Sequence, residues 1–167
     1  VIRDTIQKGA QFEQTMLRVK AVANATQEEF NQLTQVAERL GTTTEFTASQ
    51  AAEGLEFLSM AGFQAADSIE ALPGVLDLAT AGSIDLGRAA DIASNVLTAM
   101  RLDTEELSRV NDVLVAGFSN ANVNMESLAE SFKYAGSVGS AFGYTIEEIT
   151  GFIGQLGNAG IQGSMAG

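Results

Sequence analysis

The sequence has no cysteine, no histidine and no tryptophan, and only one proline and two tyrosines in 167 residues. Each absence closes off some chemistry. Without Cys there is no disulfide framework and no thiolate nucleophile or ligand, and cysteine usage gives no clue to compartment. Without His, the commonest general base, the Ser-His triad and every His-bearing zinc site are lost. No Trp and two Tyr leave few stacking platforms for bases or sugars. Basic residues are scarce as well: 9 Lys and Arg stand against 21 Asp and Glu, for a formal net charge of −12. Such an excess repels a phosphate backbone, so broad nucleic-acid binding is not expected.

What is present points to a folded core. Hydrophobic residues make up 46% of the chain and charged ones 18%, which argues against a disordered acidic tail. The length suits one domain, or one core with a helical extension. Charge is unevenly spread. Arg3, Lys8, Arg18, Lys20 and Arg39 balance Asp4, Glu13, Glu28, Glu29 and Glu38, so the whole −12 lies in residues 40–167. From Leu40 to Gly87 there are seven acids and no base. That stretch reads as a solubilising surface, or as a face that avoids DNA or meets a basic partner. The sequence starts at Val1 rather than Met and stops at Gly167 in an uncharged glycine-rich run; the expectation is a piece of a longer chain. Val1 to Ala25 alternates charged with apolar residues, unlike a signal peptide. Ile149–Gly167 is the only uncharged stretch of membrane length, and its Gln155, Asn158, Gln162 and five glycines make it a weak spanning segment.

One period dominates, and it is helical. Phe30, Leu33, Ala37 and Leu40 recur at i, i+3, i+7, i+10, as do Ala48, Ala51, Leu55 and Leu58. Met125, Leu128, Phe132 and Ala135 repeat that spacing, and so do Ile146, Ile149, Ile153 and Leu156. Leu86, Ala89, Ala90, Ala93, Val96, Leu97 and Met100 form the narrowest stripe. No bounded apolar/polar alternation signals a strand. Capping boxes mark helix starts at Thr26–Glu29, Thr47–Gln50, Asp103–Glu106 and Thr145–Glu148. Gly41 and Gly62 mark stops, and Pro73 is expected to break one helix and open another from Gly74 to Ala81.

The expected fold is all-α: a compact multi-helix bundle of about eight helices with no sheet. The helices fall near 1–23, 27–40, 48–61, 66–81 broken at Pro73, 86–100, 104–119, 125–136 and 146–159. Residues 1–25 read as a leading helix, longer and charge-balanced, that projects or continues an upstream helix; residues 26–167 read as the core region. Thr47–Phe63 also echoes Thr145–Ile161 without gaps: cap, amphipathic helix, then Ala-Gly and an apolar residue. Either two capped helices look alike, or a helical unit is duplicated at an offset of 98 residues, too long for an ordinary solenoid repeat.

Candidate chemistry mostly fails. Gly151, Gly154, Gly157, Gly160 and Gly163 recur every third residue without the proline that collagen needs. On a helix they suit close helix–helix approach, followed by fraying into a loop. Asn120–Asn124 resembles the start of a calcium loop, but Met125 and Ser131 stand where Gly and Glu are required. A loop capped by Asn122 or Asn124 explains it better. Glu105/Glu106 and Glu147/Glu148 suit the positive ends of helices. No catalytic, cofactor-binding or metal-ligating residue is expected.

The segment Gly41–Phe63, GTTTEFTASQAAEGLEFLSMAGF, resembles the core region of phage tail tape measure proteins, also called minor tail proteins. The likeness continues through Ala71–Ala79, Asp85–Ser94, Asn111–Leu114, Tyr144–Glu148 and Leu156–Ser164, covering about 12–167. The order and spacing of these blocks carry the signal rather than any one of them. The resemblance implies a non-enzymatic structural protein of a virion or prophage, acting in tail assembly and length determination. It implies residence in the tail tube lumen, and in host cytoplasm during assembly. Implied partners are other tail proteins (tube, initiator or baseplate, chaperones) and further copies of the chain, with no direct nucleic-acid contact. A membrane-active segment assisting genome delivery and a cellular helical adaptor are the alternatives.

Overall fold

A computed structural model describes the backbone of residues 2–167 and the side chains of residues 9–167. Val1 and the charges of Arg3, Asp4 and Lys8 lie outside the described residues. Eight α-helices follow in order: α1 (Ile2–Val22), α2 (Gln27–Thr43), α3 (Ala48–Met60), α4 (Ala65–Gly82), α5 (Leu86–Met100), α6 (Leu107–Asn120), α7 (Met125–Ala141) and α8 (Ile146–Asn158). Two 3-10 turns, Thr104–Glu106 and Gly163–Met165, flank α6 and follow α8. No strand occurs among the described residues, so the fold is all-α. It falls into two compact units, residues up to Leu76 and Asp77–Gly167.

Helix starts follow the capping chemistry read from the sequence. Thr26, Thr47 and Thr145 each accept the third backbone N–H, and Glu29, Gln50 and Glu148 reach back to complete the box. Asp85 and Asn124 cap α5 and α7 through their carboxylate and amide oxygens. Asp103 departs from expectation: its side chain caps nothing, and a 3-10 turn precedes α6. Glu106, expected to close that box, accepts from Arg109 instead.

Helix ends share one device. A residue with positive φ (Asn24, Gly62, Ser83, Arg101, Gly143 or Gly160) follows the last turn. An apolar residue comes next, and its N–H donates five residues back. The pairs are Ala25 to Lys20, Phe63 to Leu58, Ile84 to Ala79, Leu102 to Leu97, Tyr144 to Gly139 and Ile161 to Leu156, all at 2.9–3.1 Å. This is the 6→1 bond of a Schellman motif, which satisfies a carbonyl the helix end leaves open. The following residue opens the next helical element. Glycine takes the left-handed conformation freely at Gly62; Asn24, Ser83 and Arg101 adopt it at a steric cost. Only the α2–α3 and α6–α7 links lack it, crossing in extended backbone at Thr44 and Ala121.

Three expected boundaries are corrected. α2 runs through Gly41 to Thr43, because this glycine serves close approach: a Cβ there would collide with the backbone of Ala48. α4 continues through Pro73. Ala71, Leu72, Val75 and Leu76 are buried on both sides of it, and that packing outweighs the one hydrogen bond proline removes. α7 runs past Gly136 to Ala141, and a Cβ at Gly136 would lie 3.0 Å from Ala99 Cβ.

In the first unit α1 and α2 both lie against α3, burying Met16, Val19, Leu33, Ala37, Leu55 and Leu58. In the second, α5 pairs with α7 and α6 with α8. Both of those pairs are parallel. Near the N-terminal ends Arg88 meets Glu126 and Arg109 meets Glu147; near the C-terminal ends Ser140 Oγ donates to Met100 O at 2.8 Å, and Gly154 lies beside Ala121. A helix therefore packs on the one two places along, as in stacked helical hairpins.

Three Arg–Glu pairs tie these partners, each spanning 38 residues: Arg18 Nε to Glu56 at 2.7 Å, Arg88 Nε to Glu126 at 2.9 Å and Arg109 Nε to Glu147 at 2.8 Å. Each is two-pronged, with a second nitrogen on the other carboxylate oxygen. Those hydrogen bonds are the main reason the carboxyls of Glu126 and Glu147 titrate below their usual range.

Two predictions follow from this packing. On α8, a Cβ at Gly157 would overlap Val123 and crowd the Asn122 carbonyl, whereas one at Gly151 meets nothing within 4 Å. Gly157→Ala should therefore destabilise by about 1–3 kcal/mol, and Gly151→Ala should stabilise by roughly 0.5–1 kcal/mol. Urea unfolding that gives both the same sign would refute this packing. The second concerns pH. A carboxyl held lower in the folded state stabilises fully above its unfolded pKa, and that stabilisation fades as pH falls through the folded value. Unfolding midpoints should thus fall below about pH 5. The double variant Glu126→Gln/Glu147→Gln should lose less over that acid range, and at pH 7 should cost under about 1 kcal/mol per half-exposed pair. An unchanged acid slope would show that the pairs contribute nothing.

Candidate interaction surfaces

Several of the ionisable groups cap helix ends or tie one helix to another. Among the described residues no three His, Cys, Asp or Glu converge as metal ligands. Glu106 and Glu147 both accept from Arg109, and Glu148 completes the Thr145 capping box. Asn120–Asn124 forms the expected linking loop: Asn124 Oδ1 accepts from Ser127 N at 2.8 Å, and Asn122 N–H donates to Asn158 Oδ1 at 2.8 Å.

The glycine run divides its roles, with the expected close approach at Gly154 and Gly157 but not at Gly151. Gly154 approaches Ala121 Cβ and Gly157 approaches Val123. Gly160 turns the chain at φ +84°. Gly151 faces open space, on a groove of about 370 Å³ between α6 and α8 lined also by Gly117, Ala121, Thr150, Gln155 and Asn158. At the Gly117 crossing a Cβ would run into the Thr150 methyl. That tight seat leaves Thr150 Oγ1 buried and unpartnered, as are both polar atoms of Asn111. Sequence reading missed Asn111, although it sits inside the apolar stripe Leu107, Val110, Leu114. Its burial with no partner is costly.

Sequence reading also missed an apolar stripe on α7. Tyr134, Val138 and Phe142 recur every fourth residue and are exposed, Phe142 by 80%. Ending α7 at Gly136 conceals this stripe; extending it to Ala141 reveals it. Met165 is exposed nearby in sequence to the last turn, and Tyr144 stacks edge-on to Phe152 with ring centres 5.7 Å apart. Such a stripe on a helix is the usual form of a helix-binding face.

No described helix is long and apolar enough to cross a membrane. The segment Ile149–Gly167, weighed above as a weak span, is divided by the end of α8 at Asn158 and the turn at Gly160.

Comparison with known proteins adds what geometry alone lacks. A family model described as phage-related minor tail protein matches residues 34–167. The tape measure protein of Pneumococcus phage Dp-1 is 37% identical over 163 residues, covering 98% of this chain and 14% of that protein. The probable tape measure protein of Escherichia phage P2 is 28% identical over 162 residues, covering 95% of this chain and 20% of that protein. The chain therefore spans a fifth or less of the length of these relatives. No solved structure matches it. Matched over residues 34–167, the chain belongs to the family of phage-related minor tail proteins.

Proposed function

We propose that this chain is a structural, non-catalytic helical module of a phage tail tape measure protein, acting in tail assembly and length determination through helix-mediated contacts. The observation that carries the reading is 37% identity to a tape measure protein across 98% of the chain. The physical features agree with it. Charged side chains tie helix to helix and cap helix ends, leaving exposed apolar faces rather than a reactive centre as the conspicuous surfaces. On this reading the partners are tail tube, initiator or baseplate and chaperone proteins, together with other copies of the chain. The place of action is the tail tube lumen, with a cytoplasmic stage during assembly. A net charge of −12 suits a body that shares a conduit with DNA without gripping it.

The test is genetic. Removing the codons for this chain from the phage or prophage that encodes it should give particles with shortened tails, or none, in negative-stain electron micrographs. Full-length, infectious tails from that deletion would overturn the reading. Replacing Phe142 and Val138 with Asp should leave the isolated chain helical while lowering the yield of tailed particles at least about tenfold.

A further inference from the structure

The two helix pairs of the second unit follow one rule, and it can be carried one step further. The N-caps Asp85 and Asn124 place α5 and α7 in register, with Leu86 matching Met125. α5 receives α7 along Arg88, Ile92, Asn95, Val96 and Ala99. In that register Asn95 and Ala99 fall on Tyr134 and Val138, two of the exposed residues of α7. The bare stripe thus lies on the side by which α5 binds its own partner.

The chain already begins to cover this side. Gly160, Ile161 and Gln162 repeat the helix-joining turn, with the bond from Ile161 N–H to Leu156 O at 2.9 Å, and the 3-10 turn Gly163–Met165 comes next. Ser131 Oγ donates to Gly163 O at 2.9 Å. A Cβ at Gly167 would press on Ser131 O and lie 2.8 Å from Tyr134 Cβ. From Gly163 to Gly167 the backbone therefore advances along α7 from Ser131 toward Tyr134, in the direction of α7 itself. Gly163 also lies 38 residues after Met125, the spacing of the three Arg–Glu ties.

We propose that the chain, having turned at the left-handed Gly163 (φ +59°), enters a further helix at Ser164 and Met165, completed by the residues that follow Gly167 in the intact protein, and that this helix runs parallel to α7 over Tyr134, Val138 and Phe142. A helix rising about 1.5 Å per residue from Gly163 draws level with Phe142 after about eleven residues. The relatives carry much more chain than this one, which spans 14% and 20% of them. The inference does not depend on the proposed tail role, since it concerns only how the stack continues.

The absence of cysteine makes the test clean. Val138→Cys and Phe142→Cys, made singly at exposed positions, place one reactive thiol on the stripe, and Asp112→Cys on exposed α6 surface serves as control. Maleimide labelling rates are compared in residues 1–167, in a chain extended by about twenty natural residues, enough for the expected helix, and in the intact protein. Circular dichroism checks that each variant is helical. The expected result is at least tenfold slower labelling of both stripe thiols in the extended and intact chains, with the control unchanged. Equal rates in all three would overturn the proposal. Protection in the intact protein but not the extended chain would assign the face to a distant segment and overturn it too. Slowing in residues 1–167 that grows with concentration would assign it to a second copy, with the same consequence.

Discussion

The left-handed residue that ends a helix and the apolar residue behind it are the constraint on which the rest depends. Six joints use the same pair, and each donates a 6→1 bond of 2.9–3.1 Å. A joint of fixed geometry sets the angle at which one helix leaves another. The apolar residue then lies against the helix just finished, while the next residue is placed to start a new one. Where a helix returns beside the one two places earlier, this joint is combined with an extended link: the paths from α5 to α7 and from α6 to α8 each include the extended crossing at Ala121. Glycine and alanine at the crossings let the backbones close. The Arg–Glu forks sit at the edges and add little energy; their contribution is to register, since a two-pronged pair tolerates little sliding.

Much of this was legible in the sequence, because helix period and capping are local. The all-α class, the eight helices and three of the four capping boxes could be read from residues within a few positions of each other. Other features depend on distant partners. Gly41 looks like a stop until Ala48 is seen against it, and the length of α7 past residue 136 shows only once Gly136 is seen close to Ala99. Pro73 reads as a break because a sequence does not show that the residues around it are buried. The joints at Asn24, Ser83 and Arg101 have no glycine to announce them. The packing order is hidden for a further reason: it recurs in geometry rather than in residue types. The N-caps of α5 and α7 are 39 residues apart, as are those of α6 and α8, but the capping residues differ: Asp85 against Asn124, and Glu106 against Thr145. Thr47–Phe63 and Thr145–Ile161 share a Thr capping box and the same closing bond.

The regular packing has a physical sense. In a stack, each helix answers mainly to its neighbours, so stability accumulates from local interfaces. A stack of this kind can be lengthened or shortened without rebuilding a central core. On the reading proposed above, that property suits a protein whose length matters, because added helices extend the body without altering what came before.

The buried polar atoms mark where this economy is least complete. Asn111 has no partner for either side-chain atom, and Thr150 none for its hydroxyl, though both sit among close-packed apolar neighbours on α6 and α8. An apolar residue of similar size would pack there at no desolvation cost. The cost of Thr150 falls on the pair of helices that also carries the open groove and the crossings at Gly117 and Gly157. Between α5 and α7, Ile92, Val96, Ala99, Ala129 and Phe132 line a smaller cleft, and Val96, Ala129 and Phe132 are buried. The two interfaces are unequal, and the one with the wider groove and the unpaired hydroxyl opens at lower free energy. If the second unit yields to load or to a partner, separation of α6 from α8 comes first, with the α5–α7 pair still closed.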